Sequence, residues 1–478
     1  MVSKLNLRQI SGFLITPILL SFLVFTPPSG LSPEGWKTAI IGLCMAVLWL
    51  TEAIPIPVTS LLPLVLFPLT GVGNIRESSA PYSNPLIFLF LGGFLLALAM
   101  EKWRLHIRIA LHSIKLATKP VMIITGFFVT TAFISLWASN TATTLMMVPI
   151  GISIIKLVNS QAQHPNEFQN FSTSLMLSIA FGGSIGGLGT LIGTPPNALL
   201  AAFLTQSYKM EIGFGQWMLI GLPLVIFSTP ISIYILTKIA FPLRIKEIAK
   251  GKDLIREELD KLGKISKEEI IVGVVFCSTA ILWIIQPVIA RFFPFISDST
   301  IAIFGGIILF LIPTDFKKGE FLMDWKMATK IPWEVLLLFG GGLSLANFIE
   351  KTKLAQWIGS YANAFLDLHI SIVIFLITVM IMLLSQVTSN TATAAAFLPI
   401  VASISEGMGY SPIVLAIPAT LGASCAFMLP VGTPPNAIVY ATGYVSIPQM
   451  VKGGIWLSIL FSILITILSY FWIPLVIR

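Results

Sequence analysis

The hexapeptide Gly-Thr-Pro-Pro-Asn-Ala occurs twice in this chain, at 193–198 and 432–437, and each copy interrupts an apolar segment of about 35 residues. The two segments run from about 172 to 206 and from about 412 to 445. A straight membrane-spanning helix needs only about 20 residues, so each segment is expected to be two half-helices joined by a break. Glycine gives the backbone freedom there, and the paired prolines remove amide donors and end the preceding helix. Thr194 or Thr433 is then placed to cap the second half-helix, with Pro195 or Pro434 at its first position, where proline is favoured. Irregular backbone at membrane depth is tolerated only where protein or a water-filled cavity surrounds it. The breaks point to a site.

Composition agrees that the setting is a membrane. Of 478 residues, 56% are hydrophobic and only 10% charged, against about 25% charged in a soluble domain. A chain this poor in charge cannot cover a water-facing surface, and it has length for roughly ten spans. Its net charge of +8 is spread over short loops and speaks to orientation in the membrane rather than to nucleic acid. Cys44, Cys277 and Cys425 sit in apolar runs with neither disulfide nor metal spacing. Lys4 and Arg8 precede a first apolar run that is followed by the turn Pro27-Pro28-Ser29-Gly30 and by no small-residue cleavage site. A retained first span with a cytoplasmic N-terminus is expected. Glu52, in the proline-broken corner after the second span, reads as an interfacial, structural carboxylate.

A second element is also doubled. The windows SLWASNTATTLMMVPI from Ser135 and SQVTSNTATAAAFLPI from Ser385 are identical at eight of sixteen positions, 250 residues apart. GGFLLALAMEK from Gly92 aligns with GGLSLANFIEK from Gly341 at an offset of 249. Two independent stretches give nearly the same offset, so the repeat is architectural. A single Ser-Asn-Thr triplet in a membrane helix would read as a packing feature. Two triplets and two breaks in repeat register read as a site, whereas Gly92-Gly93 and Gly340–Gly342 read as packing glycines and Trp137 and Trp333 as anchors or core.

The fold expected is all-α and polytopic, with about 11 transmembrane segments and two re-entrant hairpins in two inverted repeats. Residues 1–83 form N-terminal scaffold spans, and 84–243 the first repeat, with hairpin 121–157 and broken helix 172–206. The charged stretch 244–269, with eight basic and seven acidic residues, is a cytoplasmic linker. Scaffold spans follow at 270–331, then the second repeat at 332–446, with hairpin 370–404 and broken helix 412–445, and a final span at 447–478. If the Ser-Asn-Thr segments are hairpins, corresponding points are five crossings apart, and an odd number inverts the second repeat. The basic cluster from Lys102 to Lys119, suited to a helix lying in the interface, then falls inside. Its counterpart, with only Lys351 and Lys353, falls outside, as does the C-terminus.

Discontinuous helices in inverted repeats are a signature of secondary transporters, with the substrate near the bilayer midplane. Half-helix N-termini attract carboxylates without Lys or Arg, and Asn140, Thr141, Asn390 and Thr391 add neutral donors. Ser135 with Ser139, and Ser385 with Ser389, are spaced i, i+4 and can face one way. Their hydroxyls, an Asn carbonyl and backbone carbonyls near Gly193 and Gly432 could form an oxygen cage, which suits a hard cation. A neutral cage fits Na⁺ better than Ca²⁺. Proton coupling would call for Asp, Glu or His in the spans, and His106, His112, His164 and His369 lie outside both motifs.

With paired Ser-Asn-Thr motifs each followed by a Gly-Thr-Pro-Pro-Asn-Ala break, the chain resembles the divalent anion/sodium symporter family of dicarboxylate and citrate carriers over nearly its whole length. The resemblance implies a homodimer whose protomers each carry a scaffold and a mobile transport domain working by an elevator motion. It also implies that Asn140, Thr141, Asn390 and Thr391 hold two substrate carboxylates, with Ser389, Thr194, Thr433 and Pro434 contributing. One Na⁺ site would use Ser135, Ser139, Asn140 and Gly193, and the other Ser385, Thr388, Asn390 and Gly432. Na⁺-coupled import of a C4 dicarboxylate such as succinate, malate or fumarate is the expected function, in a bacterial plasma membrane. Exchange rather than symport, and citrate or sulfate as substrate, stay open. An intramembrane hydrolase using Ser139 or Ser389 is the contrasting class, and neither motif offers it a His or Lys base.

Overall fold

A computed structural model describes residues 6–114, 119–159, 165–243, 259–362 and 367–477. Lys4, Lys115, His164 and residues 244–258 of the charged linker lie outside the described residues. Among the described residues, seven helices are long and apolar enough to cross a membrane, and five shorter apolar helices accompany them. A two-stranded hairpin, Pro313–Asp315 with Glu320–Phe321, is the one strand pairing among the described residues. The sequence did not announce it.

The chain opens with α1 (Leu7–Ser21) and α2 (Pro33–Thr51). Ser32 caps α2 by accepting the Gly35 N–H at 3.0 Å, with Pro33 at the first position. At its far end Glu52 turns left-handed and pairs with Arg8 at 3.3 Å. Two short proline-bounded turns follow, α3 (Ile56–Thr59) and α4 (Pro63–Leu69), then α5 (Ile75–Ser79), α6 (Pro85–Lys102) and α7 (Leu105–Ile114).

The basic α7 is not a simple interfacial helix. Its Arg108 turns inward to Glu269, Nη2 to Oε2 at 3.0 Å with both side chains largely buried, and donates to Gly263 O at 3.0 Å. Glu269 lies in the capping box that starts α13 (Lys267–Ile289). The charged stretch is therefore pinned to α7 at its C-terminal end.

The first hairpin is α8 (Pro120–Ser135) and α9 (Asn140–Asn159), joined by a four-residue bend. The arms run antiparallel. A Cβ built on Gly183 would lie 3.2 Å from Thr144 and 3.7 Å from Thr131, residues equally far from the bend, and one on Gly151 of α9 would lie 3.7 Å from Phe127 of α8. Both arms pack on α10 (Pro165–Gly187), which breaks before α11 (Pro195–Tyr208). After α12 (Phe214–Tyr234), α13 and α14 (Asp298–Leu311), the short α15 (Trp325–Ala328) and α16 (Trp333–Lys351) lead through α17 (Leu354–Ser360) to the second hairpin. That hairpin is α18 (Ile370–Ser385) and α19 (Asn390–Gly407), and both arms pack on α20 (Ile413–Ala423), which breaks before α21 (Pro434–Ala441). The last long helix, α22 (Ile447–Ile467), runs on through further helical turns to Val476.

The two units interlock reciprocally: α21 packs on α9 and α10, and α11 packs on α19 and α20. Phe181 and Phe427 meet edge to face at 5.5 Å across the seam. The repeated glycines make close approaches, Gly93 to Ile192, Gly92 to Ala302 and Gly341 to Ser60.

Candidate functional site

Each hairpin bend brings its Ser-Asn-Thr triplet against the break of its own unit. At the first, Ser135 Oγ lies 2.6 Å from Asn140 Oδ1 and 2.7 Å from Gly183 O. At the second, Ser385 Oγ lies 2.7 Å from Asn390 Oδ1 and 2.5 Å from Ala423 O. Both serines are fully buried. The duplicate clusters agree within 0.2 Å.

The asparagine amides decide what these clusters are. Oxygen and nitrogen of an amide have the same shape, so chemistry must choose between them. With nitrogen inward, Asn140 donates to Ser135 Oγ (2.6 Å), Gly183 O (3.1 Å) and Gly193 O (3.1 Å). Asn390 in the same orientation donates to Ser385 Oγ (2.7 Å), Ala423 O (3.1 Å) and Gly432 O (3.1 Å). With oxygen inward, each cluster holds four neutral oxygens and a single hydroxyl proton. Such a set repels itself unless a cation lies among it, and all-oxygen donors are what a hard cation takes. The amide nitrogen then points away, with no acceptor in the described protein.

The breaks are held by the asparagine of the hexapeptide, for which the sequence reading has no role. Asn197 Nδ2 donates to Gly187 O at 3.1 Å and Thr190 O at 2.8 Å. Asn436 Nδ2 donates to Ala426 O at 2.9 Å and Leu429 O at 3.1 Å. The amide oxygens of both are buried without a partner. Thr194 and Thr433 occupy the cap positions with extended backbones, but neither side chain makes the expected capping bond. The reason lies in the motif itself. A cap side chain bonds the second or third N–H of its helix; here the second residue is a proline, and the third N–H goes to the threonine carbonyl, at 3.2 Å for Asn197 and 3.1 Å for Asn436. The hydroxyls are left open.

The same fact moves the anion-attracting amides. Pro195, Pro196, Pro434 and Pro435 have no N–H to offer, so α11 and α21 present few donors. The free N–H groups stand instead at the starts of α9 and α19, on Asn140, Thr141, Asn390 and Thr391, none of which donates to the described protein. The hydroxyls of Thr141, Thr391 and Ser389 are likewise without a partner there. Thr391 is buried and Thr141 half-buried.

Two residues expected as cation ligands are engaged otherwise. Ser139 Oγ accepts the Ala142 N–H at 3.2 Å and caps α9. Thr388 Oγ1 donates to Leu384 O at 2.8 Å and lies 2.6 Å from Thr393 Oγ1. The carbonyls of Gly183 and Ala423 lie against the two serines in the clusters. A backbone acceptor carries no side-chain signature, and nothing in the sequence marked these two. Clefts of about 750 and 710 Å³ flank α21 and α11, the first lined by Gln169, Tyr440 and Tyr444 and the second by Lys209, Asn347 and Glu350. Neither is lined by a residue of the triplets.

Comparison with known proteins gives concordant results. Residues 7–478 match the family model described as the sodium:sulfate symporter transmembrane region. The sodium-dependent dicarboxylate transporter SdcS of Staphylococcus saprophyticus is 43% identical over 480 residues, covering 98% of this chain and 92% of that protein. SdcS of Staphylococcus aureus strain USA300 is 42% identical over 477 residues, with the same coverage. Among solved structures, the YdaH transporter of Alcanivorax borkumensis superposes with a TM-score of 0.60 at 14% identity, covering 98% of this chain and 100% of that one. MtrF of Neisseria gonorrhoeae superposes with 0.54 at 15% identity, over 96% and 97%. At those identities the likeness is one of fold.

Proposed function

The chain belongs to the family of the sodium:sulfate symporter transmembrane region, and on that premise we propose that it imports C4 dicarboxylates such as succinate, malate or fumarate by symport with Na⁺. The observation that carries this is the pair of matched oxygen clusters, each beside unpaired donors. Ser135, Asn140 and the carbonyls of Gly183 and Gly193 would hold one Na⁺. Ser385, Asn390 and the carbonyls of Ala423 and Gly432 would hold the other. Ser139 and Thr388 support these clusters as bend residues.

The asparagines join the two cargoes. An amide whose oxygen faces a cation turns its N–H₂ group outward, where it can donate to a carboxylate. Asn140 with Thr141 would take one substrate carboxylate, and Asn390 with Thr391 and Ser389 the other. Thr194 and Thr433, left uncapped, and Pro434 would line the space between. Two equivalent donor sets suit an anion with a carboxylate at each end, which favours a dicarboxylate over sulfate. A hydrolase reading fails, since the relatives are transporters and neither triplet has a base beside its serine.

The reading extends to the whole architecture. The two units would be inverted repeats, with the first hairpin entering from the cytoplasm and the second from outside. Residues 1–83 and 270–331 would be scaffold, and the hairpins with their broken helices the moving part of an elevator, in a homodimer of the bacterial plasma membrane. The N-terminus would be cytoplasmic and the C-terminus outside, with the stretch 244–269 a cytoplasmic linker.

Uptake of labelled succinate into proteoliposomes, with and without an inward Na⁺ gradient, is the test. Gradient-driven uptake that citrate and sulfate compete for poorly supports the proposal. Uptake that ignores Na⁺ and requires internal dicarboxylate would replace symport with exchange. Asn140→Ala and Asn390→Ala should each abolish uptake while leaving folded protein, and wild-type transport by either would remove the site assignment.

A further inference from the structure

Inside the bends the two repeats share only the serine, and the change that alters size most is at the second bend position. Residue 137, two after Ser135, is Trp, whereas residue 387, two after Ser385, is Val. The Trp137 ring stacks on Phe214, with centroids 6.0 Å apart and planes at 20°, and meets Phe276 edge-on at 5.3 Å. Phe214 stacks in turn on Trp283 at 4.5 Å. Its N–H donates to Oδ2 of the buried Asp298 at 2.7 Å, and Trp283 Nε1 donates to Asp298 O at 3.0 Å. One turn further along α12, Trp217 Nε1 donates to Leu188 O, in the first break, at 3.0 Å. The opening turn of α12 therefore grips both halves of the first oxygen cluster and anchors them to α13 and α14.

The second bend has no such brace. Val387 is 47% exposed, and among the described residues the side chains of this bend bond to its own hairpin and its own break. Gln386 Nε2 donates to Cys425 O at 3.2 Å, and its Oε1 accepts the Met428 N–H at 2.8 Å. The two clusters are alike in their oxygens and unlike in what holds them.

We infer that Trp137 is a positioning residue for the first cation site, setting the bend between Ser135 and Asn140 through its stack on Phe214. The inference rests on the Na⁺ reading above. Ser135 and Asn140 stand on either side of the bend, so any freedom in residues 136–139 spreads their oxygens over many arrangements. Ordering such a segment at the moment of binding costs affinity, and holding it in advance removes that cost. Each bend is also tied to its own break, the first by Thr190 Oγ1 donating to Leu136 O and the second through Gln386, so the aromatic brace is what the first site has in addition.

The experiment measures succinate uptake against Na⁺ concentration in proteoliposomes. Trp137→Val, which installs the residue of the second repeat, should raise the Na⁺ needed for half-maximal uptake by about two- to twelvefold, the range spanned by one aromatic pair. The maximal rate and the KM for succinate at saturating Na⁺ should stay near wild type. Trp137→Phe, which keeps a ring on Phe214, should recover most of the shift. Phe214→Leu should reproduce it, and the double variant should shift no further than either single one. Val387→Ala should leave the Na⁺ dependence unchanged. Ser135→Ala, which strikes the proposed site directly, separates the two levels. If it alters the Na⁺ dependence while Trp137→Val and Phe214→Leu only lower the yield of folded protein, the positioning role is overturned and the site stands. If Ser135→Ala leaves the Na⁺ dependence intact, the site assignment falls and the inference with it.

Discussion

Replacing Asn197 by Ala asks whether the first break is held by the side chain that ties two of its carbonyls together. Asn197 is fully buried. Its amide nitrogen donates to Thr190 O at 2.8 Å and Gly187 O at 3.1 Å, with Leu188 O at the margin at 3.5 Å. Truncation strands two buried carbonyls, each costing about 1–3 kcal/mol when left unpaired. Polar contacts between membrane helices average about 0.6 kcal/mol, so the lower part of that range applies, and the total comes to about 2–4 kcal/mol. The loss is local. A Cβ built on Gly193 would lie 2.6 Å from Gly187 O, so the loop that Asn197 holds is the loop that aims Gly193 O at the cluster. Thermal unfolding of the purified protein, with and without Na⁺, should show a lowered midpoint and a higher Na⁺ concentration needed to stabilise the fold. Asn197→Asp, which presents oxygens to the same carbonyls, should be at least as damaging at neutral pH. An Ala variant with the wild-type midpoint and Na⁺ response would refute the role given to Asn197.

Three further outcomes follow from the packing. Arg108→Ala leaves Glu269 buried without its partner, which should cost about 3–5 kcal/mol; adding Glu269→Ala should restore part of the loss, and a double variant no more stable than the single would contradict the pairing. Gly182→Ala places a methyl 2.7 Å from Phe128 O, between α10 and α8, and should lower thermal stability by about 1–3 kcal/mol through overpacking, with unchanged stability the contrary result. Burial holds the pKa of His106, on the connecting helix α7, below its ordinary 6.5. The fold then keeps it neutral while the unfolded chain takes up a proton, so stability is full above pH 6.5 and falls as the pH drops below it. His106→Asn should flatten that slope, and an unchanged pH profile would count against it.

The sequence showed the large features because they are local and doubled. Two Gly-Thr-Pro-Pro-Asn-Ala breaks mark interrupted helices by composition alone, and two Ser-Asn-Thr bends in register with them mark the residues of the proposed site. What stayed hidden depends on partners distant in the chain or on the backbone. The carbonyls of Gly183 and Ala423 join the clusters with no side chain to signal them. The threonine caps fail for a reason written in the motif, since a helix that begins Pro-Pro has no second amide to offer. Arg108 looked like one more basic residue of an interfacial helix, and its partner Glu269 stands 161 positions away. The contrast between Trp137 and Val387 was visible in the aligned windows, but Phe214, which gives it meaning, belongs to another helix.

Coupling through the two asparagines requires that the anion site be made by the cation. Equilibrium binding of labelled succinate to the purified protein, measured in Na⁺ and again in K⁺ at equal ionic strength, tests this most directly. The account predicts saturable binding in Na⁺, little in K⁺, and none by Asn140→Ala or Asn390→Ala in either salt. Equal binding in both salts would contradict it.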